Sequence, residues 1–167
     1  TLSYKVDKID FNFTNNLRND DLYQRDNHEG GELSRGFLTY NPSVRFRYNF
    51  SKAQGITASY RRDNVLPTLT QIQPLRQNTD PLNIIVGNAG LTPSQRDNYS
   101  MFYNSYNMLK NKYVYAQASF SQQHNAIQQN VNIDTSGVRT IFFENMREQV
   151  NNSGNLWAGM GTKLIKR

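Results

Sequence analysis

The feature that most constrains this chain is a strict alternation of apolar and polar residues that recurs along its length. A period of two residues is that of a β-strand with one apolar and one polar face. Residues 9–13 begin the same pattern, and no stretch keeps the 3.6-residue period of a helix. The sequence therefore predicts an all-β protein. The clearest apolar series are Val44, Phe46, Tyr48 and Phe50; Ile56, Ala58 and Tyr60; Val114, Ala116, Ala118 and Phe120; and Leu156, Ala158, Met160, Thr162 and Leu164.

The composition agrees with strands of this two-faced kind. Only 37% of the residues are hydrophobic and the mean hydropathy is -0.76, yet 12% are aromatic, which is unusual for a disordered chain. The absence of cysteine excludes disulfides, thiolate metal sites and cysteine nucleophiles. The net charge of +6 raises nucleic-acid binding, but the basic residues are scattered and form no stripe, so nucleic acid is not an expected partner.

The connections between the predicted strands alternate in length. Long polar segments lie at about 17–34 and 65–97, a shorter one lies near 134–137, and tight turns lie at 51–55 and 110–112. Outer-membrane barrels have short periplasmic turns and longer extracellular loops, whereas a soluble β-sandwich has no reason to follow this rhythm. The predicted strands are 1–15, 36–50, 55–64, 98–108, 113–131 and 138–164.

The pattern thus predicts an antiparallel up-and-down meander of about six strands, forming a single partial domain over 1–167 of a larger transmembrane β-barrel. Single-chain barrels have at least about eight strands, and unpaired backbone groups are costly in lipid. The predicted location is the outer membrane. Predicted partners are lipid, the rest of the barrel and, for the isolated chain, a second copy at the strand edges. Lys52, Lys110, Lys112 and Lys166 would lie on the periplasmic side, and Tyr113 and Tyr115 in an aromatic girdle at the lipid interface.

The segment 63–99 carries a resemblance to a known family. Its motif residues are Pro67, Gln73-Pro74-Leu75, Asp80-Pro81-Leu82-Asn83-Ile84, Gly87-Asn88 and Leu91-Thr92-Pro93. This series resembles the TonB-dependent-receptor-like outer membrane β-barrel family common in Bacteroidetes-type bacteria, in the C-terminal part of the barrel. The departures are Ala89, where the family usually has proline, and Thr92-Pro93-Ser94, where it often has Lys-Pro-Glu. The resemblance covers most of 36–164, and residues 1–35 match only in style.

The resemblance implies a function and a set of partners. It implies nutrient import across the outer membrane, energised through TonB, with a separate plug domain that this chain lacks. The chain would supply wall and extracellular loops and no catalysis. The implied partners are the plug domain, TonB indirectly and, in one interpretation, a surface lipoprotein.

Two groups of residues are candidates for contact with a solute or partner. The first is in the motif loop, which is either simply an ordered extracellular loop or a direct contact for substrate or lipoprotein: Asp80, Pro81, Asn83, Gly87, Asn88 and Pro93. The second is basic, and its members would point into the lumen together: Arg45, Arg47, Arg61 and Arg62. These arginines would line a passage for anionic solutes or pair with carboxylates of the plug domain.

Other chemistry is weaker in this sequence. Acidic residues and a histidine crowd the loop 17–34, where they form either a Ca²⁺ site or a solvated acidic loop: Asp20, Asp21, Asp26, His28 and Glu29. His28 and His124 do not have metal-site spacing, and no serine has a catalytic partner. No catalytic residue, cofactor or metal is therefore predicted. The rival is a soluble β-sandwich binding module, for example a carbohydrate-binding one, whose apolar faces would interdigitate with a second sheet.

Overall fold

The computed structural model describes residues 1–25, 32–73 and 76–162, with the backbone alone for 76–79. These residues form eleven strands and one short helix. The helix in these ranges is not long and apolar enough to cross a membrane. In chain order the elements are β1 (Leu2–Val6), β2 (Ile9–Thr14), β3 (Leu17–Arg25), β4 (Glu32–Tyr40), β5 (Ser43–Ser51), β6 (Gln54–Val65), α1 (Leu69–Ile72), β7 (Arg76–Asp80), β8 (Asn83–Val86), β9 (Ser94–Asn107), β10 (Lys112–Ile133) and β11 (Arg139–Thr162).

Nine strands form one curled sheet in the order β1-β2-β5-β6-β9-β10-β11-β8-β7, and β3 pairs with β4 alone. We call the first seven strands of that order the wall. Every wall strand is antiparallel to its neighbours, as predicted for a meander. The parallel pair is β8 with β11. Among the described residues the wall does not close, because β1 and the part of β11 that follows Phe142 each keep one edge without a partner strand.

The predicted alternation organises the wall into two faces. On one face, three cross-strand rows of seven residues run through all seven strands, and we call it the apolar face. Successive rows lie about 7 Å apart along each strand. The rows are Val6, Ile9, Tyr48, Ile56, Tyr103, Ala116 and Ala158; then Tyr4, Phe11, Phe46, Ala58, Met101, Ala118 and Leu156; then Leu2, Phe13, Val44, Tyr60, Tyr99, Phe120 and Gly154.

The opposite side of the wall, which we call the polar face, carries mainly hydroxyl, amide and charged side chains. The row between the first two apolar rows is Lys5, Asp10, Arg47, Thr57, Phe102, Gln117 and Trp157. The row between the last two is Ser3, Asn12, Arg45, Ser59, Ser100, Ser119 and Asn155. The contrast between the faces is therefore a property of whole rows and not of single strands.

The connections fall at two ends of the wall, as predicted. Tight turns at 7–8, 52–53 and 108–111 lie at one end, which we call the turn end. The long connections 15–42 and 66–93 and the turn near 134–138 lie at the other, the loop end. Lys52 and Lys110 are at the turn end, next to Lys112, the first residue of β10. Lys166 lies outside the described residues.

The prediction of one strand over 1–15 was wrong, because these residues form the hairpin of β1 and β2. Asp7 turns the chain with a φ of 46°, a left-handed conformation that aspartate adopts more readily than most residues. The sequence there lacks the Asn-Gly or Asp-Gly pair that marks such a turn most strongly. The wall therefore has seven strands where about six were predicted.

The prediction of a strand over 36–50 was also wrong, since Asn41 and Pro42 divide it into β4 and β5. At this break the amide of Asn41 donates to the carbonyl of Asn16 at 2.7 Å, and the carbonyl of Pro42 accepts from the amide of Arg62 at 3.0 Å. The predicted loop 17–34 is largely the β3–β4 hairpin, whose residues 26–31 are outside the described part. Proline cannot donate to a sheet, which explains the break.

Tyr113 and Tyr115 do not belong to a girdle on the apolar face, because the alternation places them on the polar face. Their rings stack at a centroid distance of 6.2 Å, and Trp157 meets Tyr115 edge-on at 5.7 Å. A Cβ at Gly159 or Gly161 would overlap these rings, so the two glycines of β11 leave the space the rings occupy. The aromatic row of the apolar face is instead Tyr60, Tyr99 and Phe120, with centroids 5.1 and 6.2 Å apart.

The buried core is small and lies at the loop end. Ile72, Leu91 and Phe143 form its centre, and partly buried side chains surround it: Leu22, Leu33, Ile85, Ile127 and Ile141. We call the β3–β4 hairpin, α1, the β7–β8 hairpin and residues 87–93 the cap. Within the described ranges no second sheet covers the apolar rows, and Met101 is 49% exposed. That arrangement contradicts a β-sandwich, whose apolar faces would be dry.

Candidate functional site

The four predicted arginines do not form one group. Arg45 and Arg47 of β5 lie on the polar face, and Arg61 joins them because it pairs with Ser43 in the sheet register. Arg62 follows Arg61 directly and therefore projects to the apolar face, opposite Asp97. The chain thus presents three arginines on one side of the wall and one on the other.

Arg62 belongs to a polar cluster just beyond the aromatic row of the apolar face. Its guanidinium donates to both carboxylate oxygens of Asp97, at 2.8 and 2.9 Å, and the hydroxyl of Tyr60 donates to the same carboxylate at 2.7 Å. His124 Nε2 lies 3.9 Å from Oδ2 of Asp97. Asp97 is only 2% exposed, and these contacts compensate its buried negative charge. The hydrogen bonds of this cluster join β6 to β9, and sequence reasoning missed it because Asp97 lies 35 residues from Arg62.

The remaining arginines differ in their ion pairs. Arg61 pairs with Asp63 at 2.7 Å. Arg45 and Arg47 are exposed, and among the described residues no carboxylate oxygen lies within 4.0 Å of either. They line a recess of about 750 Å³ on the polar face. The recess is also lined by Asn12, Thr14, Ser43, Val44, Thr57, Ser59, Tyr60, Arg61, Ser100 and Phe102.

The first part of the motif loop forms a tight turn between β7 and β8. The carboxylate of Asp80 accepts hydrogen bonds from the amide of Leu82 at 2.9 Å and from the side chain of Asn83 at 2.7 Å. These bonds, the one from Asn83 foremost, hold the pKa of the Asp80 carboxyl below its ordinary value. Pro81 occupies the turn itself. Ile84 is buried and Ile85 packs against the core, so this strand ties the loop to β11, as the apolar run between the two turns suggests.

The second part of the motif needs a residue without a side chain. A Cβ at Gly87 would overlap the backbone carbonyl of Gln73, which leads out of α1. The next amide, that of Asn88, donates to the carbonyl of Gln71 at 2.7 Å. The Asn88 side chain donates to the carbonyl of Phe143 at 2.9 Å and accepts from the amide of Gly90 at 2.8 Å. Gly87 and Asn88 therefore hold the loop against α1 and β11.

Asparagines complete the attachment of the loop. Asn145 of β11 accepts from the Thr92 amide at 2.8 Å and donates to the carbonyls of Thr92 and Asn125 at 2.9 and 3.1 Å. Asn125 donates to the hydroxyl of Thr92 at 2.7 Å and to the carbonyl of Pro93 at 3.0 Å, from a backbone with a φ of 54°. We call Thr92, Asn125 and Asn145 the asparagine latch. The sequence shows no sign of it, because Thr92 and Asn145 are 53 positions apart.

The acidic loop is only partly described. Asp20 pairs with Arg18 at 2.5 Å, while Asp21 is the next residue of β3 and faces the other way. Asp26, His28 and Glu29 lie outside the described residues. Within 1–25, 32–73 and 76–162, no group of three or more His, Asp or Glu side chains could hold a metal ion.

Comparisons with known proteins agree with this geometry. The sequence profile described as "Outer membrane protein beta-barrel family" matches residues 14–161. No curated protein matches the chain. Among solved structures, the siderophore receptor PirA from Pseudomonas aeruginosa has a TM-score of 0.55 and 17% identity over 89% of this chain. A double mutant of the Serratia marcescens hemophore receptor HasR, in complex with its hemophore HasA and heme, has a TM-score of 0.61 and 10% identity over 93% of this chain.

The two structural likenesses concern the fold. The chain spans 30% of the length of the PirA chain and 28% of that of the HasR chain. Both neighbours are receptors by name. The match to the family profile extends over most of the chain and includes every wall strand except β1 and most of β2.

Proposed function

Because the chain belongs to the outer membrane protein beta-barrel family, we propose that it forms part of the wall of an outer-membrane receptor that takes up a nutrient. A protein of this family lies in the outer membrane, where the apolar face contacts lipid and the polar face lines the lumen. The loop end is extracellular and the turn end periplasmic. The chain contributes wall and loops, and it carries no catalysis.

The observation that carries this proposal is the set of three apolar rows. They cross all seven wall strands without a charged residue, and every member except Gly154 has an aliphatic or aromatic side chain. A soluble protein would have to cover a surface of this kind, whereas lipid covers it at no cost. The unpaired edges of β1 and β11 are where the rest of the barrel pairs, since an open edge is not stable in lipid. In the isolated chain, the same edges favour association with a second copy.

A receptor, rather than an open pore, is favoured by the cap and by the neighbours. The cap packs against β10 and β11 around a buried core at the loop end, where a solute would first arrive. The resemblance of 63–99 adds a plug domain in the lumen, energy from TonB and, as a further partner, a surface lipoprotein. The loop residues are mostly engaged in contacts within the loop or with β11, which favours the structural interpretation of Asp80, Asn83, Gly87 and Asn88 over direct substrate contact.

Orientation can be tested by labelling cysteines from outside the cell, because the chain has no cysteine of its own. Ser136→Cys, at the loop end, should react with a membrane-impermeant maleimide on intact cells. Ala53→Cys, in a turn at the turn end, should react only after the outer membrane is opened. Labelling of Ala53→Cys on intact cells would contradict the proposed orientation.

Uptake can be tested with the full-length protein in its own cells. The first ligands to try are a ferric siderophore and haem, which are suggested by the names of the two neighbours. Cells lacking the protein should lose uptake of one such nutrient, and dissipating the proton-motive force should have the same effect on wild-type cells. Uptake that continues without a proton-motive force would contradict the TonB-type mechanism.

A further inference from the structure

We infer that Arg45 and Arg47 form an oxyanion subsite on the polar face, which holds a carboxylate or phosphate group. The inference rests on the proposed function in one respect, namely that the polar face lines an enclosed lumen. In such a space the walls have a low dielectric constant and concentrate the field of fixed charges.

Position and exposure fit the two arginines for a shared ligand. They occupy the same face of β5 two residues apart, so their Cα atoms are about 7 Å from one another. Both side chains are exposed. A guanidinium is a planar fork that binds a carboxylate or phosphate through two parallel hydrogen bonds, and two long arginine side chains can reach one oxyanion from neighbouring positions.

The charges around the pair are not balanced within the described residues. Arg61, which also lines the recess, is paired with Asp63, and Arg62 is paired with Asp97 on the apolar face, so neither adds net charge to the recess. The carboxylate opposite Arg47 is that of Asp10, which accepts from the side chain of Asn12 at 2.6 Å and makes no ion pair with Arg47.

Lys5 faces Asp10 from the other side, across the β1–β2 pair. Apart from the Arg61–Asp63 pair, the local set is therefore three cations, Lys5, Arg45 and Arg47, with one carboxylate.

The surrounding side chains add neutral hydrogen-bond donors. Hydroxyl groups of Ser43, Thr57, Ser59 and Ser100 line the same recess of about 750 Å³. Hydroxyls beside a guanidinium complete the hydrogen bonding of an oxyanion without adding charge. The recess has room for a multiply charged organic acid or a phosphate ester.

The oxyanion has two possible sources, an anionic solute or an acidic side chain of a domain seated in the lumen. Both are tested on the full-length protein in detergent micelles. An anionic solute is tested by isothermal titration calorimetry with inorganic phosphate as the probe at constant ionic strength, and a protein carboxylate is tested by the Tm with and without added NaCl. The variants are Arg45→Gln with Arg47→Gln, each single substitution, and Lys52→Gln as a control that removes one positive charge at the turn end.

If the subsite is open to solutes, phosphate binds the wild type and the Lys52→Gln control alike. The double variant then binds at least about tenfold more weakly, and each single variant lies between. If a protein carboxylate already fills the subsite, phosphate does not bind. The double variant then has a lower Tm than the control, and its Tm no longer falls when NaCl is added.

A double variant that equals the control in both phosphate binding and salt-dependent Tm overturns the inference. Folding of each variant is checked by its heat-dependent migration on SDS gels, and if the double variant does not fold, the single variants decide by the same criteria. The titration needs no transport. A protein that binds phosphate as expected but imports nothing would count against the proposed uptake and leave the subsite intact.

Discussion

The wall and the cap bury apolar side chains in different ways. In the wall, Phe46, Met101 and Phe120 remain exposed on the chain's own surface, so lipid must supply the apolar environment. In the cap, Ile72 and Leu91 are fully buried by neighbours from the same chain. The wall accordingly repeats one pattern over many strands, while the cap depends on individual contacts between distant segments.

This difference predicts how each region tolerates change. The effect of a substitution in the wall depends on the face and on the depth in the membrane, because the lipid environment is uniform along the sheet. The effect of a substitution in the cap depends on the particular contacts of the residue, such as those of Gly87 or of the asparagine latch. The following substitutions separate the two cases.

The largest effect is expected for a charge in the middle apolar row. Ala118→Arg would place a guanidinium between Met101 and Leu156, and we expect it to destabilise the full-length protein by about 2–4 kcal/mol, the cost of arginine near the bilayer midplane. The measurement is reversible urea unfolding in liposomes. Gln117→Arg, one residue away on the polar face, is the control and should cost much less. Equal losses from both substitutions would mean that the apolar face does not meet lipid.

A methyl group added in the cap should destabilise the protein less than the charge in the wall, but by a measurable amount. We expect Gly87→Ala to destabilise the loop by about 1–3 kcal/mol, because its Cβ would overlap the carbonyl of Gln73. Limited proteolysis of the 66–93 loop measures the effect. Gly154→Ala in the wall is the control, since the nearest atom to its Cβ would be at an ordinary 3.4 Å. A loop as resistant to protease as the wild type would show that α1 can move aside.

The asparagine latch should respond to loss of its central side chain. Asn145→Ala removes four hydrogen bonds and leaves backbone groups of Thr92 and Asn125 without partners, at a cost of about 1–3 kcal/mol. Faster hydrogen exchange at the Thr92 amide is the expected result. Asn104→Ala, an exposed asparagine of the polar face, should leave that amide unchanged. Exchange at Thr92 that is the same in both variants would mean that the latch does not hold the loop.

The smallest effect concerns the turn between β10 and β11. Hydrogen bonds from Ser136, chiefly its hydroxyl, and from the Val138 amide hold the pKa of the Asp134 carboxyl below its ordinary value. The stabilisation is therefore complete above the unfolded-state pKa of about 3.9 and is lost as the pH falls through the lower folded-state pKa. An NMR titration should show the Ser136 amide shift changing in that acidic range. Asp134→Asn should abolish the change, and a midpoint at or above 3.9 would contradict the assignment.

Much of the wall could be predicted from the sequence. Alternation alone assigned Val44, Phe46, Ala58 and Tyr60 to one face, and β10 and β11 were predicted to within two residues at each end. Alternation did not predict the strand ends where a single residue makes the chain turn. Asp7 and Pro42 divide predicted strands. At Asp7 the apolar series passes from even positions (Tyr4, Val6) to odd ones (Ile9, Phe11), and this shift was the signal of the turn that the prediction missed.

The candidate sites were harder to predict, because their outcome depends on partners elsewhere in the chain. Arg61 and Arg62 look alike in the sequence, yet one turns to Asp63 on the polar face and the other to Asp97 on the apolar face. The importance of Gly87 and Asn88 was visible in the motif, but the contacts that explain it, with Gln73 and Phe143, were not.

The sequence by itself determined the two faces of the wall, the ends at which its connections lie and the need for an apolar environment outside the chain. These follow from a period of two residues and from a solvent that is the same along the whole sheet, so local information is enough. Tertiary structure decided how many strands the wall has, where the motif loop is attached and which arginines have no carboxylate partner among the described residues. Each of these depends on pairs such as Thr92 with Asn145, which only the folded chain brings together.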